Sequence, residues 1–199
     1  MSNILAEMAL YIEQICPDYL VGVMLTDNHR DFLLARPSPS LPADYLASTN
    51  YLEIGEGIGI CGSAAWHGTT VIAEDLRPHP YCAEFRDVTA KASLLACWSE
   101  PILNAAERVL GTFCVYLQRP GRPTVNDLKP VRQIIRLAAI AIERAHAEER
   151  LRESETQLRE VFKNSSDTAL QLELTKKGRL RNIQINLPSN AALGGGGPR

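Results

Sequence analysis

The chain has 199 residues, 45% of them apolar and 22% charged, which is enough for one well-formed core with further elements attached. A net charge of −2 excludes a broad electrostatic pull on nucleic acid or an anionic membrane. Apolar runs such as LAAIAI (137–142) fall far short of the ~20 residues that span a bilayer, and MSNILAEMALYIEQI lacks a basic leader, so neither membrane insertion nor an export signal is expected.

Ile4, Leu5, Met8, Ile12 and Ile15 recur on one face of a helix predicted over 3–16, which Pro17-Asp18 ends. YLVGVMLTD (19–27) is rich in apolar and β-branched residues and reads as a buried strand. RDFLLARPS pairs back onto it across Asp27-Asn28-His29. Residues 37–50 are rich in proline and serine and form a loop around a short helical piece, YLAS. Glycines at 55, 57, 59 and 62 then mark close backbone turns, and SAAWHG is a short helix stopped by Gly68.

TTVIAED (69–75) is a predicted strand, and HPYCAEFRDVTAKA (79–92) has Tyr81, Phe85 and Val88 at helical spacing. LLACWSEPIL (94–103) and VLGTFCVYLQ (109–118) are strands joined by a hairpin turn at NAAER. A long helix begins near 125, with Asn126 or Thr124 as its cap. Its stripe Val131, Ile134, Ile135, Leu137, Ala138 and Ile142 is expected to pack on the domain. Beyond Glu143 the helix is charged yet keeps Leu151, Leu158 and Phe162, while Glu148/Arg152 and Glu155/Arg159 are favourable i,i+4 pairs. Leucines on a helix that leaves its domain need a partner. Ile142, Leu151, Leu158 and Phe162 are therefore read as the seam of a short parallel coiled coil between two copies. Two further strands are expected within 164–186, and residues 187–199, with four consecutive glycines, are read as a disordered or appended tail.

Five cysteines, an odd number, point to free thiols in a reducing cytoplasm rather than a disulfide framework. No C-x-x-C pair occurs and the four histidines are scattered, so no metal site is expected. No Ser/His/Asp set, paired carboxylates or phosphate-binding loop is evident.

The order of elements, with GIGICGSAAWHGTTVIAEDL, LLACWSEPIL, VLGTFCVYL and LAAIAIER in that order, resembles a GAF domain. The likeness is to those of bacterial multidomain signalling proteins that end in diguanylate cyclase, cyclic-di-GMP phosphodiesterase or histidine kinase modules. SETQLREVFKNSSD (154–167) is similar to the lead-in of a PAS domain. The resemblance implies an α+β, α/β/α layered fold with an antiparallel sheet of five or six strands. The N- and C-terminal helices cover one face, and short helices and loops enclose a small-molecule pocket on the other. The domains are then 1–145 (GAF), 146–163 (signalling helix) and 164–186 (the truncated start of a PAS-like domain).

Family ligands include cyclic nucleotides, bilins, haem and small anions; the sequence itself requires no cofactor. The candidate ligand-binding residues are Cys61, Asp75, Tyr81, Phe85, Cys97, Trp98, Ser99 and Phe113. Asp75 either meets a ligand or caps the turn at Leu76-Arg77. Three readings stand side by side. One is a non-catalytic sensor that passes ligand state through a dimeric helix to an output module. The second is a thiol enzyme using Cys61, similar to the GAF proteins that reduce free methionine sulfoxide. The third is a structural dimerisation module.

Overall fold

A computed structural model describes residues 2–164 together with strands 170–174 and 180–185. The tail expected over 187–199 and the loops around the last two strands lie outside the described residues. The chain divides into two compact units, Met1–His146 and Ala147–Arg199.

The first unit is built on a six-stranded, fully antiparallel sheet. Its strands are β1 (Tyr19–Thr26), β2 (Phe32–Ala35), β3 (Leu52–Glu53), β4 (Val71–Ala73), β5 (Ala96–Leu103) and β6 (Val109–Leu117). They lie in the order β3-β2-β1-β6-β5-β4, so β1, β6 and β5 form the centre. Both faces of these central strands are covered. That is why β1 and β6 read as continuous apolar runs rather than as clean alternation.

The register sorts the side chains. Val21, Val23, Leu25, Trp98, Phe113 and Val115 face one layer, made with helix α1 (Ser2–Ile15) and helix α5 (Val125–Asn164). Leu5, Ala9 and Ile12 come from α1, and Val131, Ile135, Ala138 and Ile142 from α5. Met24, Cys97, Cys114 and Tyr116 face the other layer. That layer holds α2 (Ala43–Ser48), α3 (Gly59–His67), a 3₁₀ helix (Pro80–Phe85) and α4 (Arg86–Lys91).

Local chemistry fixes the turns. Asp27 Oδ1 accepts the N–H groups of Asp31 (2.9 Å) and Phe32 (3.2 Å), closing the β1–β2 hairpin. Asn104 Oδ1 accepts those of Ala106 (3.0 Å) and Arg108 (2.9 Å), closing β5–β6. Of the two residues proposed to cap α5, Thr124 does so. Its Oγ1 accepts Asp127 N–H at 3.3 Å, and Asp127 Oδ2 accepts Thr124 N–H at 2.7 Å, a reciprocal capping arrangement. Gly68, at φ 64°, supplies the left-handed C-cap of α3.

Several expectations need correction. The segment 79–92 is not one helix: Pro80 starts a 3₁₀ turn and only Arg86–Lys91 is α-helical. Helix α3 begins at Gly59, earlier than SAAWHG alone implies, and β3 was not foreseen. Ile142 is fully buried in its own domain's core, so it cannot also sit on an intermolecular seam. Leu137, expected in the packed stripe, is instead 54% exposed, as Ile140 is at 64%. The side chain of Phe162 lies outside the described residues.

In the second unit α5 continues to Asn164, with Leu151 and Leu158 exposed, and β7 (Leu170–Leu174) pairs antiparallel with β8 (Leu180–Ile185).

Candidate functional site

The site starts from α3. Seven of its nine residues, Gly59 to Ala65, are buried, so the helix has no solvent face along most of its length. Small residues allow this. A Cβ on Gly62 would stand 2.5 Å from the carbonyl oxygen of Glu53, so only glycine lets α3 pass this close to β3. Ser63 ties the entry: its Oγ donates to Gly59 O (2.7 Å) and accepts from Gly57 N–H (3.1 Å). Cys61 is thereby held over the sheet, its Sγ 2.9 Å from Cys114 Sγ on β6 and 3.9 Å from the Tyr116 hydroxyl.

Around this point the fold encloses a cavity of about 40 Å³. Its walls are Met24 of β1, Tyr45 and Thr49 from the α2 segment, Leu52 of β3, Gly59, Ile60 and Cys61 of α3, and Leu76. Cys82 and Phe85 of the 3₁₀ helix, Thr89 of α4, Cys97 of β5 and Tyr116 of β6 complete it. Tyr45 and Tyr116 meet edge to face with centroids 5.6 Å apart. Among the described residues no charged side chain lines the cavity.

The polar groups are held neutral. The contact with Cys114 favours the Cys61 thiolate, but the contact with Cys97 and full burial outweigh it and push the thiol up. Cys114 is raised by its contact with Cys61 and by burial, and Cys97 by burial. Burial pushes Cys82 up to about 11, slightly offset by Arg86. Burial likewise raises Tyr45 and Tyr116. The wall is apolar and thiol-rich, with hydroxyls as its hydrogen-bonding groups.

Of the eight candidate residues, Cys61, Phe85 and Cys97 line this cavity. Tyr81 packs against the same cluster and stacks edge-on with His79 (5.1 Å), but it does not reach the wall. Ser99 is buried on the same sheet face, 3.9 Å from Cys114 Sγ and set back from the cavity. Asp75 does not face the cavity. Its carboxylate accepts Arg77 N–H (3.0 Å) and grips the Arg77 guanidinium (2.9 and 2.5 Å), which holds it below the usual carboxylate range. Of its two proposed roles, the turn cap is the one the geometry contains.

Trp98 and Phe113 are corrected outright. Both belong to the helix-facing layer, with Trp98 packed edge-on against Tyr19 at 4.9 Å. The sequence reading missed Tyr45, Thr49, Thr89 and Tyr116. Tyr116 was recoverable, since antiparallel pairing sets it directly opposite Cys97. His79, between two prolines, uses its Nδ1 to accept Tyr81 N–H (3.3 Å) and so caps the 3₁₀ helix. No group of three or more His, Cys, Asp or Glu is arranged to hold a metal ion among the described residues.

A layered antiparallel sheet with a helical layer on one face and a loop-built cavity on the other defines the class. The family model described as "GAF domain" matches residues 1–143, and the chain belongs to the GAF domain family. It is 35% identical over 167 residues to a methyl sulfide methyltransferase-associated sensor of Methanosarcina acetivorans. That match takes in 84% of this chain and 17% of the much longer relative. Among solved structures, the GAF domain of a phosphoenolpyruvate-protein phosphotransferase from Coxiella burnetii superposes with TM-score 0.63 at 15% identity, covering 74% of this chain and 85% of that one. A free methionine-R-sulfoxide reductase from Neisseria meningitidis, in complex with its substrate, gives TM-score 0.57 at 19% identity, covering 72% and 78%. At such identities the likeness is one of fold.

Proposed function

We propose that this chain is the sensory GAF module of a larger signalling protein and that it carries out no catalysis itself. The observation that carries the reading is the double use of β5 and β6. One face of these strands, with Cys97 and Tyr116, walls the cavity, and the other, with Trp98 and Val115, packs with Val131, Ile135 and Ile142 of α5. A ligand that moves the cavity wall therefore acts on the strands that seat the outgoing helix.

A cavity of about 40 Å³ is much smaller than an ordinary ligand site of ~300 Å³ or more. Seating an organic ligand requires α2, α3 and the 3₁₀ helix to part from the sheet. That opening gives the two states for which the ligand has different affinity, the condition for transmitting a signal. The uncharged wall favours a neutral, largely apolar ligand over a phosphate-bearing nucleotide. The relative described as a sensor supports the signalling context.

Two copies associate in this reading through α1 and α5. Exposed Leu137, Leu151 and Leu158 stand at heptad positions of α5, with Ile140 beside Leu137, and Ile4, Tyr11 and Ile15 are exposed on α1. The downstream partner is a cyclic-di-GMP-turnover or kinase module in the cytoplasm, reached through residues 146–163 and a PAS-like segment from 164. The likeness to sulfoxide reductases favours a thiol enzyme as the second reading. Against it, Cys61 is buried and its proton is held tightly, the opposite of an activated nucleophile.

The test is a thermal-shift screen of neutral small molecules. A binder stabilises the fold by RT ln(1 + [L]/Kd). A compound that raises Tm in the wild type and not in Leu76→Trp, which fills the cavity, supports the sensor. Turnover of free methionine sulfoxide with loss in Cys61→Ser would replace it by the enzyme.

A further inference from the structure

Cys61 at the cavity wall and Cys114 behind it have a chemistry that ligand binding does not use. Cys61 reaches the cavity wall, and Cys114 stands directly behind it at 2.9 Å with no exposure of its own. The two come from positions 53 residues apart, one on α3 and the other on β6. Both are free thiols. A bonded pair sits at about 2.05 Å, so the sulfurs need to close by less than about 1 Å. A water needs ~10–15 Å³ of such space, so about 40 Å³ beside Cys61 admits a molecule of two or three heavy atoms with no rearrangement of the wall.

We propose that Cys61 and Cys114 form a site of reversible oxidation, in which hydrogen peroxide entering the cavity converts the two thiols to a disulfide that fastens α3 to β6. The Cys61 sulfur attacks one peroxide oxygen. The O–O bond breaks, and the leaving hydroxide takes the thiol proton and departs as water, leaving Cys61 as a sulfenic acid. The Cys114 sulfur then displaces the sulfenic oxygen, which leaves with the Cys114 proton as a second water. Two thiols are oxidised by two electrons and one peroxide is reduced to two waters. An ordinary thiol reductant reverses the change by exchange.

The order of events follows from placement: Cys61 has the access and Cys114 has the proximity. Because burial holds both protons, the first step is slower than for an exposed thiol, and the site responds to sustained rather than brief exposure. Once formed, the bond fixes one wall of the cavity against another. This chemistry does not depend on the ligand reading above, because it needs the two sulfurs and the space beside Cys61 and no bound effector.

Cleavage at glutamate separates the four buried cysteines into peptides 57–74, 75–84, 85–107 and 108–143. The reduced, desalted chain is treated with hydrogen peroxide, alkylated under denaturing conditions, digested without reductant and analysed by mass spectrometry. The expected major product is peptide 57–74 joined to 108–143, two hydrogens lighter than the pair and separated by reduction. In Cys114→Ser, a substitution suited to a side chain lying 3.5 Å from Thr112 Oγ1, a dimedone-type reagent should label Cys61 as a sulfenic acid. In Cys61→Ser, Cys114 should stay reduced. Joining of 57–74 to 75–84 or to 85–107 as the main product would overturn the assignment. So would alkylation of Cys61 and Cys114 in full after the peroxide has oxidised the more exposed Cys16. The wild-type digest alone decides the matter if a variant fails to fold.

Discussion

Arg132 of α5 meets the carboxylate of Glu100 in β5, with Nη2 3.3 Å from Oε1 and Nε 3.4 Å from Oε2. The glutamate side chain is only 7% exposed and the arginine 53%, so a nearly buried charge on the sheet is answered by a half-exposed one on the helix. The pair ties the strand that walls the cavity to the helix that leaves the domain. Removing the arginine strands the carboxylate, at a cost of about 1–3 kcal/mol. Arg132→Gln is expected to lower the unfolding free energy from urea titration by that amount, and Glu100→Gln in the same chain to recover part of it. Equal and additive losses in the double-mutant cycle would show that the pair is not coupled.

Gly62 is the point of closest approach between α3 and β3. With a Cβ 2.5 Å from Glu53 O, Gly62→Ala forces the helix away from the strand that helps to enclose the cavity. A loss of about 2–3 kcal/mol is expected in chemical denaturation, in the range of overpacked cores. Gly68→Ala is the comparison. It has open space for the Cβ but φ 64°, so it should cost only about 1 kcal/mol of backbone strain.

The buried acids predict an alkaline weakness. Cys61, Cys82, Cys97, Cys114, Tyr45 and Tyr116 all hold their protons more tightly in the fold than as free groups. Below the free thiol range, near pH 8.5, both states are protonated and stability is flat with pH from this source. Above it the unfolded chain loses protons that the folded chain keeps, so stability falls as pH rises. The slope is about 1.4 kcal/mol per pH unit for each thiol that has titrated only in the unfolded state. Urea titrations at successive pH values from 7 to 10 should show it, and Cys97→Ala should make it shallower. A flat profile to pH 10 would mean that the thiols are not protected.

For the dimer, Leu151→Glu with Leu158→Glu is expected to shift the mass by light scattering from two chains to one while leaving the unfolding free energy of the first unit unchanged within about 1 kcal/mol, since exposed positions contribute little to their own core. Ile142→Glu should instead unfold the domain, because that side chain is fully buried.

Much of the fold could be read in the sequence from strong, local signals. The apolar runs of β1, β5 and β6, the hairpin asparagine at 104 and the glycine stop at 68 each have one dominant physical reason. The site was less legible, and consecutive residues show why. Cys97, Trp98 and Ser99 were all proposed as ligand contacts, yet neighbours in a strand point to opposite faces. With both faces buried, composition does not tell which residue faces which layer, and only the pairing with β6 does. The same blindness affected α5. Ile142 and Leu137 are equally apolar, and it is the rotation of the helix on the sheet that buries the first and exposes the second. Tyr45 and Thr49 reach the cavity from the short helical piece that the sequence does show around YLAS, but nothing in its composition tells that it lies over the sheet.

The central claim, a cavity that binds a small neutral molecule in a dimeric sensor, is met most directly by native mass spectrometry of the purified chain beside its denatured mass. The account predicts a two-chain species that carries a neutral organic molecule, either retained or taken up from the compounds that raise Tm, released on denaturation and absent from Leu76→Trp. A single chain at its bare mass that takes up none of those compounds would contradict it.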